Sequence, residues 1–374
     1  MKITKRTGAA VIAAALAGLA GAAAAQVAAD AKRPPIPASR LGQVTPGKEN
    51  TPNGGRPEIH DIAEMRQVGG YKSPGGVAYS DLAAEAGGKL WPVTLYYRCK
   101  NTPGGTSIPA KPPQPIEVFD GVYSIGTDAN NIWAIKTSDG VILIDALTTE
   151  ADAKEFIVGG LAKFGLSPKD IKLALITHAH GDHTGGVPYL RSLNPDMKVG
   201  MGELDWHALP KGPNDVTLTD GQKITLGDFT ITTIVTTGHT AGTVSFVFPV
   251  KDKGVPHMAS LYGGQGSPSD VPSLLNFRQS LNHFADFTDL VQADVVLSNH
   301  TVGDDGLTRV AQLATRKPGQ PNPYVVGREG VIRYDAEWRA CLSADIAERV
   351  SEGATYDPLK VGIPITAPPR RQAP

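Results

Sequence analysis

The run His178-Ala179-His180-Gly181-Asp182-His183 puts three imidazoles and a carboxylate into six residues, directly after the apolar segment from Ile171 to Thr177. These residue types at this spacing make a metal site. Imidazole nitrogen suits zinc, a carboxylate adds charge and a hard oxygen, and His-x-His on extended backbone aims two ring nitrogens at one point. Asp182 and His183 follow where the chain must turn, so they can reach a second point a few ångströms away. The bland alternative is a His-rich surface loop, and the regular alternation entered from a strand argues against it.

Two later histidines extend the set. His239 lies in Thr236-Thr-Gly-His-Thr-Ala-Gly-Thr243, immediately after the alternating strand Phe229 to Thr236, and His300 follows the apolar strand Val295 to Ser298. Both sit at strand ends. His178, His180 and His239 supply three nitrogens for a tetrahedral zinc with one open position, and Asp182, His183 and His300 supply a second site. The other histidines carry less. His60 falls in the N-terminal segment, His207 follows Trp206 in a short helix, His257 sits in a loop with Lys251 and Lys253, and His283 lies on a late helix. Solvated or structural roles are expected for these four.

The segments HAHGDHTGG, TTGHTAGTVSF and LSNH resemble the metallo-β-lactamase superfamily, and the similarity runs from about Glu117 to about Val350. Within it the details are most similar to the third subclass of class B metallo-β-lactamases. The resemblance implies an α/β fold, an αββα sandwich, here with an N-terminal extension. It also implies two zinc ions per chain and a shared hydroxide that opens the amide of β-lactam antibiotics, Asp182 being both ligand and catalytic orienter of the nucleophile. The subclass rests on an absence. Most hydrolases of the superfamily, including glyoxalase II and the acyl-homoserine lactonases, carry a metal-bridging Asp at the end of the strand after the fourth histidine. The first two lactamase subclasses place His or Cys elsewhere in the ligand set. Here the corresponding strand end, Ala259-Ser-Leu-Tyr-Gly-Gly-Gln-Gly266, offers neither Asp nor Cys, and the nearest downstream carboxylate, Asp270, sits on a Pro/Ser loop that could swing it back. Two other readings stay open: a superfamily hydrolase of a lactone, thioester or other ester, and a non-catalytic metal-binding protein on the same scaffold.

The imidazoles must also be fixed from behind. Asp145, ending the strand VILID, and Thr240, beside His239, are candidates, each against ordinary turn or strand-end hydrogen bonding. Ser260, Tyr262 and Gln265 could line the cleft. A phosphate loop has no support, because Gly185-Gly186 and Gly263-Gly264 lack the flanking Lys or Gly-x-Gly spacing.

The 374 residues carry a formal net charge of -1 with acids and bases well mixed, which leaves no electrostatic footprint for nucleic acid or an anionic membrane. The expected partner is a small-molecule substrate, without nucleic acid or stable membrane association. Residues 1–25 combine Lys2, Lys5 and Arg6 with an Ala/Gly-rich stretch and the run Ala23-Ala-Ala25, which predicts a secretory signal cleaved after Ala25 and a periplasmic or secreted protein. A retained N-terminal anchor is the alternative. Residues 26–57 read as a Pro/Gly-rich linker. Residues 58–115 hold too few apolar side chains for their own core and are expected to pack on a catalytic domain of residues 116–352, either shaping the cleft or only covering an apolar surface. Residues 353–374 read as a tail. Cys99 and Cys341 are the two cysteines, and export permits a bridge between the extension and the C-terminal helix.

Across the catalytic domain, strands are expected at Val122 to Ile125, Ile132 to Lys136, Val141 to Asp145, Lys198 to Met201, Lys223 to Leu226, Val244 to Phe248 and Met258 to Tyr262. Helices are expected from Thr149 to Phe164, just after Gly186, from Leu274 to Val291 and from Ala336 to Val350.

Overall fold

Val141 to Ile144 is apolar throughout, and both faces are buried: Ile142 and Ile144 in one core cluster, Val141 and Leu143 in another. A strand covered on both sides reads as a continuous hydrophobic run rather than an alternation. In the computed structural model, which describes residues 71–100 and 112–355, this segment is β4 (Gly140–Ile144). The predicted signal segment, the linker and most of the tail lie outside the described residues. β4 belongs to a seven-stranded sheet ordered β1 (Ile116–Phe119), β2 (Val122–Gly126), β3 (Asn131–Thr137), β4, β5 (Ile171–Leu175), β6 (Lys198–Gly202), β7 (Val216–Leu218). The second sheet contains β8 (Lys223–Leu226), β9 (Phe229–Val235), β10 (Val244–Asp252), β11 (Val255–Leu261) and β12 (Val295–Leu297), in the order β12-β11-β10-β9-β8.

Between the sheets Trp133, Ile142, Ile144 and Leu175 meet Phe246, Phe248, Leu261 and Leu297. Two outer layers complete the sandwich. The chain from Glu150–Asp152 through the π-wound Ala153–Val158 to Gly159–Lys163 runs on as α3, and with α5 (Val187–Leu193) it lays Ile157, Leu161, Val187 and Leu190 against Val141, Leu143 and Val199 of the first sheet. On the second sheet, α6 (Val271–Leu290) and α8 (Gly327–Ser351) bury Phe277, Leu281, Phe284, Trp338 and Leu342 against Ile234, Val247 and Val296. Burying each large apolar side chain contributes roughly 1.5–3 kcal/mol, so these three clusters dominate the stability of the domain. The architecture is the expected αββα sandwich. The short α4 (Gly181–Thr184) and α7 (Gly306–Ala314) sit at strand ends.

α1 (Pro74–Gly87) and α2 (Pro92–Lys100) precede the first strand. Ser73 caps α1 by accepting from the Gly76 amide, with Pro74 in the first turn where its missing N–H costs nothing. Both helices pack on α8. Trp91, fully buried, donates from Nε1 to the Gly330 carbonyl at 2.9 Å, and Cys99 is disulfide-bonded to Cys341. Among the described residues no helix is long and apolar enough to cross a membrane.

Several elements differ from expectation for identifiable reasons. α8 begins at Gly327, not Ala336, because Arg328, Glu329, Arg333 and Asp335 interrupt the apolar period, Asp335 although it is buried. β5 ends at Leu175 instead of Thr177, since the Thr177 amide donates to the Asp145 side chain at 2.8 Å rather than to a neighbouring strand. His257 lies within β11, not in a loop, with Nδ1 2.7 Å from Asp294 Oδ2.

The two buried acids of α8 yield a pH prediction. Burial pushes the Glu337 carboxyl up from 4.5 to about 8, and the Asp335 carboxyl up from 3.8 to about 7. Between those limits the unfolded chain has lost a proton that the folded chain keeps, so raising the pH favours unfolding. Thermal melts from about pH 4.5 to about pH 8 should therefore show the wild type losing stability relative to Glu337→Gln. Parallel curves for the two proteins would remove this account of Glu337.

Candidate metal centre

Strand ends gather the donors. After β5 the chain carries His178 and His180, α4 adds Asp182 and His183, β9 leads to His239, and β12 leads to His300. Ligand atoms of His178, His180 and His239 lie within 4.8 Å of one another, and so do those of His178, Asp182 and His183. His178 and His239 meet Nε2 to Nε2 at 3.1 Å. His183 and His300 do the same at 3.1 Å, and Asp182 Oδ2 lies 3.2 Å from His183 Nε2 and 3.5 Å from His300 Nε2. All six residues singled out from the sequence are thus brought together.

The backs of the rings decide which nitrogen faces inward. His239 Nδ1 donates to the Gly266 carbonyl at 2.7 Å, and His183 Nδ1 donates to Asp145 Oδ2 at 2.7 Å. Thr177 Oγ1 donates to Asp145 at 2.9 Å and can therefore accept from His178 Nδ1 at 3.0 Å. With these Nδ1 atoms engaged outward, the Nε2 lone pairs of His178 and His239 point at each other across 3.1 Å. Neutral lone pairs so placed repel unless a cation lies between them, which is how this donor set fits zinc.

The charges agree. Burial holds the His178 ring well below its usual range, pulls His239 down to about 4, and pulls His300 down to about 3, leaving these rings neutral and able to donate lone pairs. Burial also disfavours charge on His183, but the Asp145 and Asp182 carboxylates outweigh it and raise the ring to about 9. Burial pushes the Asp182 carboxyl up, yet the His183 hydrogen bond and the His183 and His300 rings bring it net below the usual range.

Asp145 stands at the head of the network behind the rings. Fully buried, it also accepts from the Thr177 amide at 2.8 Å and from Asn299 Nδ2 at 3.0 Å. Its φ of 66° and that of Leu147, 60°, are left-handed, a conformation costing roughly 1–3 kcal/mol that the site's hydrogen bonds hold in place. Thr240 does not touch a ring; its hydroxyl donates to Asp205 Oδ2 at 2.5 Å. Asp205 is the residue the sequence reading missed. With no exposure at all, it accepts from the Ala179 amide at 2.9 Å and the Gly242 amide at 2.8 Å, tying the first-motif loop to the His239 loop. Asn130 was missed too, and its Nδ2 donates to Asp182 Oδ2 at 2.9 Å. Neither carries a local signal, whereas Asn299 could have been suspected from its place beside His300.

The other candidates leave the cleft. Ser260 donates to the Val295 carbonyl, Tyr262 stacks on Phe277 in the core, and Gln265 is buried. Asp270 caps α6, accepting from the Ser273 amide at 2.9 Å, and does not swing back. At the end of β11 no side chain fits: a Cβ on Gly263 would lie 1.9 Å from the Val244 carbonyl, and one on Gly264 would lie 2.4 Å from His239 Cβ.

Asp205→Ala should lower zinc affinity about 10- to 100-fold, because two loop amides and Thr240 lose their common acceptor. Chelator competition on the folded variant checks this, and wild-type affinity would deny Asp205 the role.

Fold and site together define the class. Residues 125–252 match the family model of the metallo-beta-lactamase superfamily, and the candidate metal donors His178, His180, Asp182, His183 and His239 lie inside the matched stretch. Among solved structures it is similar to BJP-1, a subclass B3 metallo-beta-lactamase of Bradyrhizobium japonicum, at 27% identity and TM-score 0.53, covering 65% of this chain and 95% of that one. A Cronobacter sakazakii metallo-beta-lactamase with a mutated HARLDQ motif is similar at 26% identity and TM-score 0.54, covering 64% of this chain and 100% of that one. Among curated proteins, the hydroxyacylglutathione hydrolase of Idiomarina loihiensis is 32% identical over 124 residues, 33% of this chain and 44% of the relative. That of Hahella chejuensis is 32% identical over 117 residues, 31% of this chain and 41% of the relative. The chain thus spans less than half the length of these curated relatives.

Proposed function

We propose that this protein is a zinc-dependent hydrolase that opens the amide of β-lactams, with His178, His180 and His239 holding one zinc ion and Asp182, His183 and His300 a second. Bound there, zinc supplies a Lewis acid and brings the pKa of water toward about 7. Asp182 is the carboxylate facing the cleft. Held by Asn130, it can accept a proton from an incoming water and keep that water in line with a carbonyl carbon. Asp145, behind His183, keeps the ring's orientation and takes no part in bond making.

The observation that carries the β-lactam reading is the end of β11, where Gly263 and Gly264 leave no space for the bridging Asp of the superfamily's lactone and thioester hydrolases. Without that Asp, metal held by these residues would have room to take a substrate carboxylate and a departing lactam nitrogen. The solved neighbours named as metallo-beta-lactamases, that of Bradyrhizobium japonicum as subclass B3, support it over nearly their full length. A second reading, hydrolysis of a thioester, is favoured by the curated relatives named hydroxyacylglutathione hydrolase. The zinc-loaded protein should be assayed on a penicillin, a cephalosporin, a carbapenem, a glutathione thioester and an acyl-homoserine lactone. Zinc-dependent turnover of a β-lactam supports the first reading. Turnover of the thioester or lactone alone would replace it with the second, and stoichiometric zinc without turnover of any would leave a binding protein.

The reading includes export and a catalytic domain of residues 116–352. The Cys99–Cys341 disulfide supports export, since such bonds persist in oxidising compartments. Finding the protein in the cytoplasm with Met1 intact would refute it.

A further inference from the structure

α2 buries an arginine. The Arg98 guanidinium lies 3.6 Å from the Trp338 ring centroid and 4.1 Å from that of Tyr334, in the corner these two nearly perpendicular rings of α8 make, and is 2% exposed. A helix that only covered an apolar surface would place a leucine or methionine here, because burying a cation is costly unless its partners compensate. Those partners lie in two different loops. Arg98 Nη2 donates to Gln265 Oε1 at 3.3 Å and to the Gly303 carbonyl at 3.4 Å, while Nε and Nη1 have no hydrogen-bond partner.

Each loop contacts or carries a metal-site histidine. Gln265 directly precedes Gly266, whose carbonyl accepts from His239 Nδ1. The Gly303 amide donates to the His300 carbonyl at 2.8 Å, and the Gly303 carbonyl also accepts from Tyr334 Oη at 2.7 Å. The loops touch each other with nothing to spare: a Cβ on Gly303 would come within 2.7 Å of Gln265 Oε1 and 2.2 Å of Ser298 Oγ. A shift of Gln265 must therefore pass into both.

We propose that Arg98 is a positioning residue for the metal centre: one guanidinium, delivered by the segment preceding the catalytic domain, ties the loop behind His239 to the turn behind His300 and so sets the separation of the two donor groups. The inference rests on the ligand reading above. The disulfide clamps this arrangement, since Cys99 is next to Arg98 and Cys341 lies three residues, about one turn, beyond Trp338 on α8. The segment is thereby a part of the site and not a cover.

The test compares the oxidised wild-type chain with Arg98→Met and Arg98→Lys, reading zinc affinity by chelator competition, the absorption spectrum of the cobalt-substituted protein, and thermal stability. Arg98→Met should weaken zinc binding about 10- to 100-fold and change the cobalt spectrum, as loss of an outer partner of metal-binding histidines does. Arg98→Lys keeps a charge between the rings, but its flexible stem and round ammonium do not fix a donor where the planar guanidinium holds Nη2, so its affinity should fall between the two. Wild-type affinity and spectrum in Arg98→Met, with only the melting temperature changed, would overturn the proposal. Should Arg98→Met fail to fold, Arg98→Lys decides: an intermediate loss of affinity supports the proposal, and none overturns it. A wild-type chain that bound no zinc would remove the ligand reading and this inference together. One that bound zinc but opened no β-lactam would overturn only the substrate, because the readouts here are of metal.

Discussion

Asp182→Ala and His183→Ala are each expected to lower zinc-dependent β-lactam turnover by roughly 100-fold or more. The two losses have different causes. Asp182 Oδ2 lies within 3.5 Å of both His183 and His300 and is held by Asn130, so alanine removes a negative charge from the cluster and the proton acceptor in the cleft. His183 is buried with Nδ1 on Asp145, and alanine there leaves a cavity and a buried carboxylate short of one donor. Part of the His183→Ala loss will therefore reflect stability. Asp182→Asn separates the effects, because it keeps the shape and the contact volume while abolishing charge and basicity. A fall in kcat with KM nearly unchanged would place Asp182 in the reaction rather than in ground-state binding. Wild-type kcat for Asp182→Asn at saturating zinc would take Asp182 out of the mechanism.

How far the site could be read from the sequence follows from which residues announce themselves. His178, His180, Asp182 and His183 are rare types at local spacing, and His239 and His300 sit where apolar strands end, so type and position together identify them. Asp145 was visible for the same reason, as the polar residue closing VILID. Asp205, Asn130 and Arg98 were not. Their bonds span 26, 52 and 167 residues, and periodicity reports which face a side chain takes, not which loop it will meet. Thr240 shows the converse, since adjacency to His239 suggested a ring contact and the hydroxyl turns to Asp205 instead.

The fold divides similarly. Strands β3, β4 and β10 were legible because burial on one or both faces demands apolar residues in runs. β7, three residues long, offers too short a pattern. The first third of α8 was hidden because Arg328, Glu329, Arg333 and Asp335 break the hydrophobic pattern, and Asp335, buried with a raised carboxyl, looks there like a surface residue. Cysteine count and the expectation of export allowed the Cys99–Cys341 bond, but only packing of α2 on α8 brings the two together.

His300→Ala should retain about one tightly held zinc ion per chain where the wild type holds about two, and chelation should abolish the activity of both proteins. His178 and His239 face each other at 3.1 Å with His180 beside them, and His239 is fixed by the Gly266 carbonyl, so none of these contacts involves His300. His183 and Asp182, by contrast, lose the third donor that closes their site, the ring at 3.1 Å and 3.5 Å. Zinc analysis after dialysis against a weak chelator measures the difference directly. Returning zinc to the chelated wild type should restore turnover, while His300→Ala should need a large excess to recover any. Two ions bound with unchanged affinity in His300→Ala would break up the second ligand set and shift its third donor to another residue.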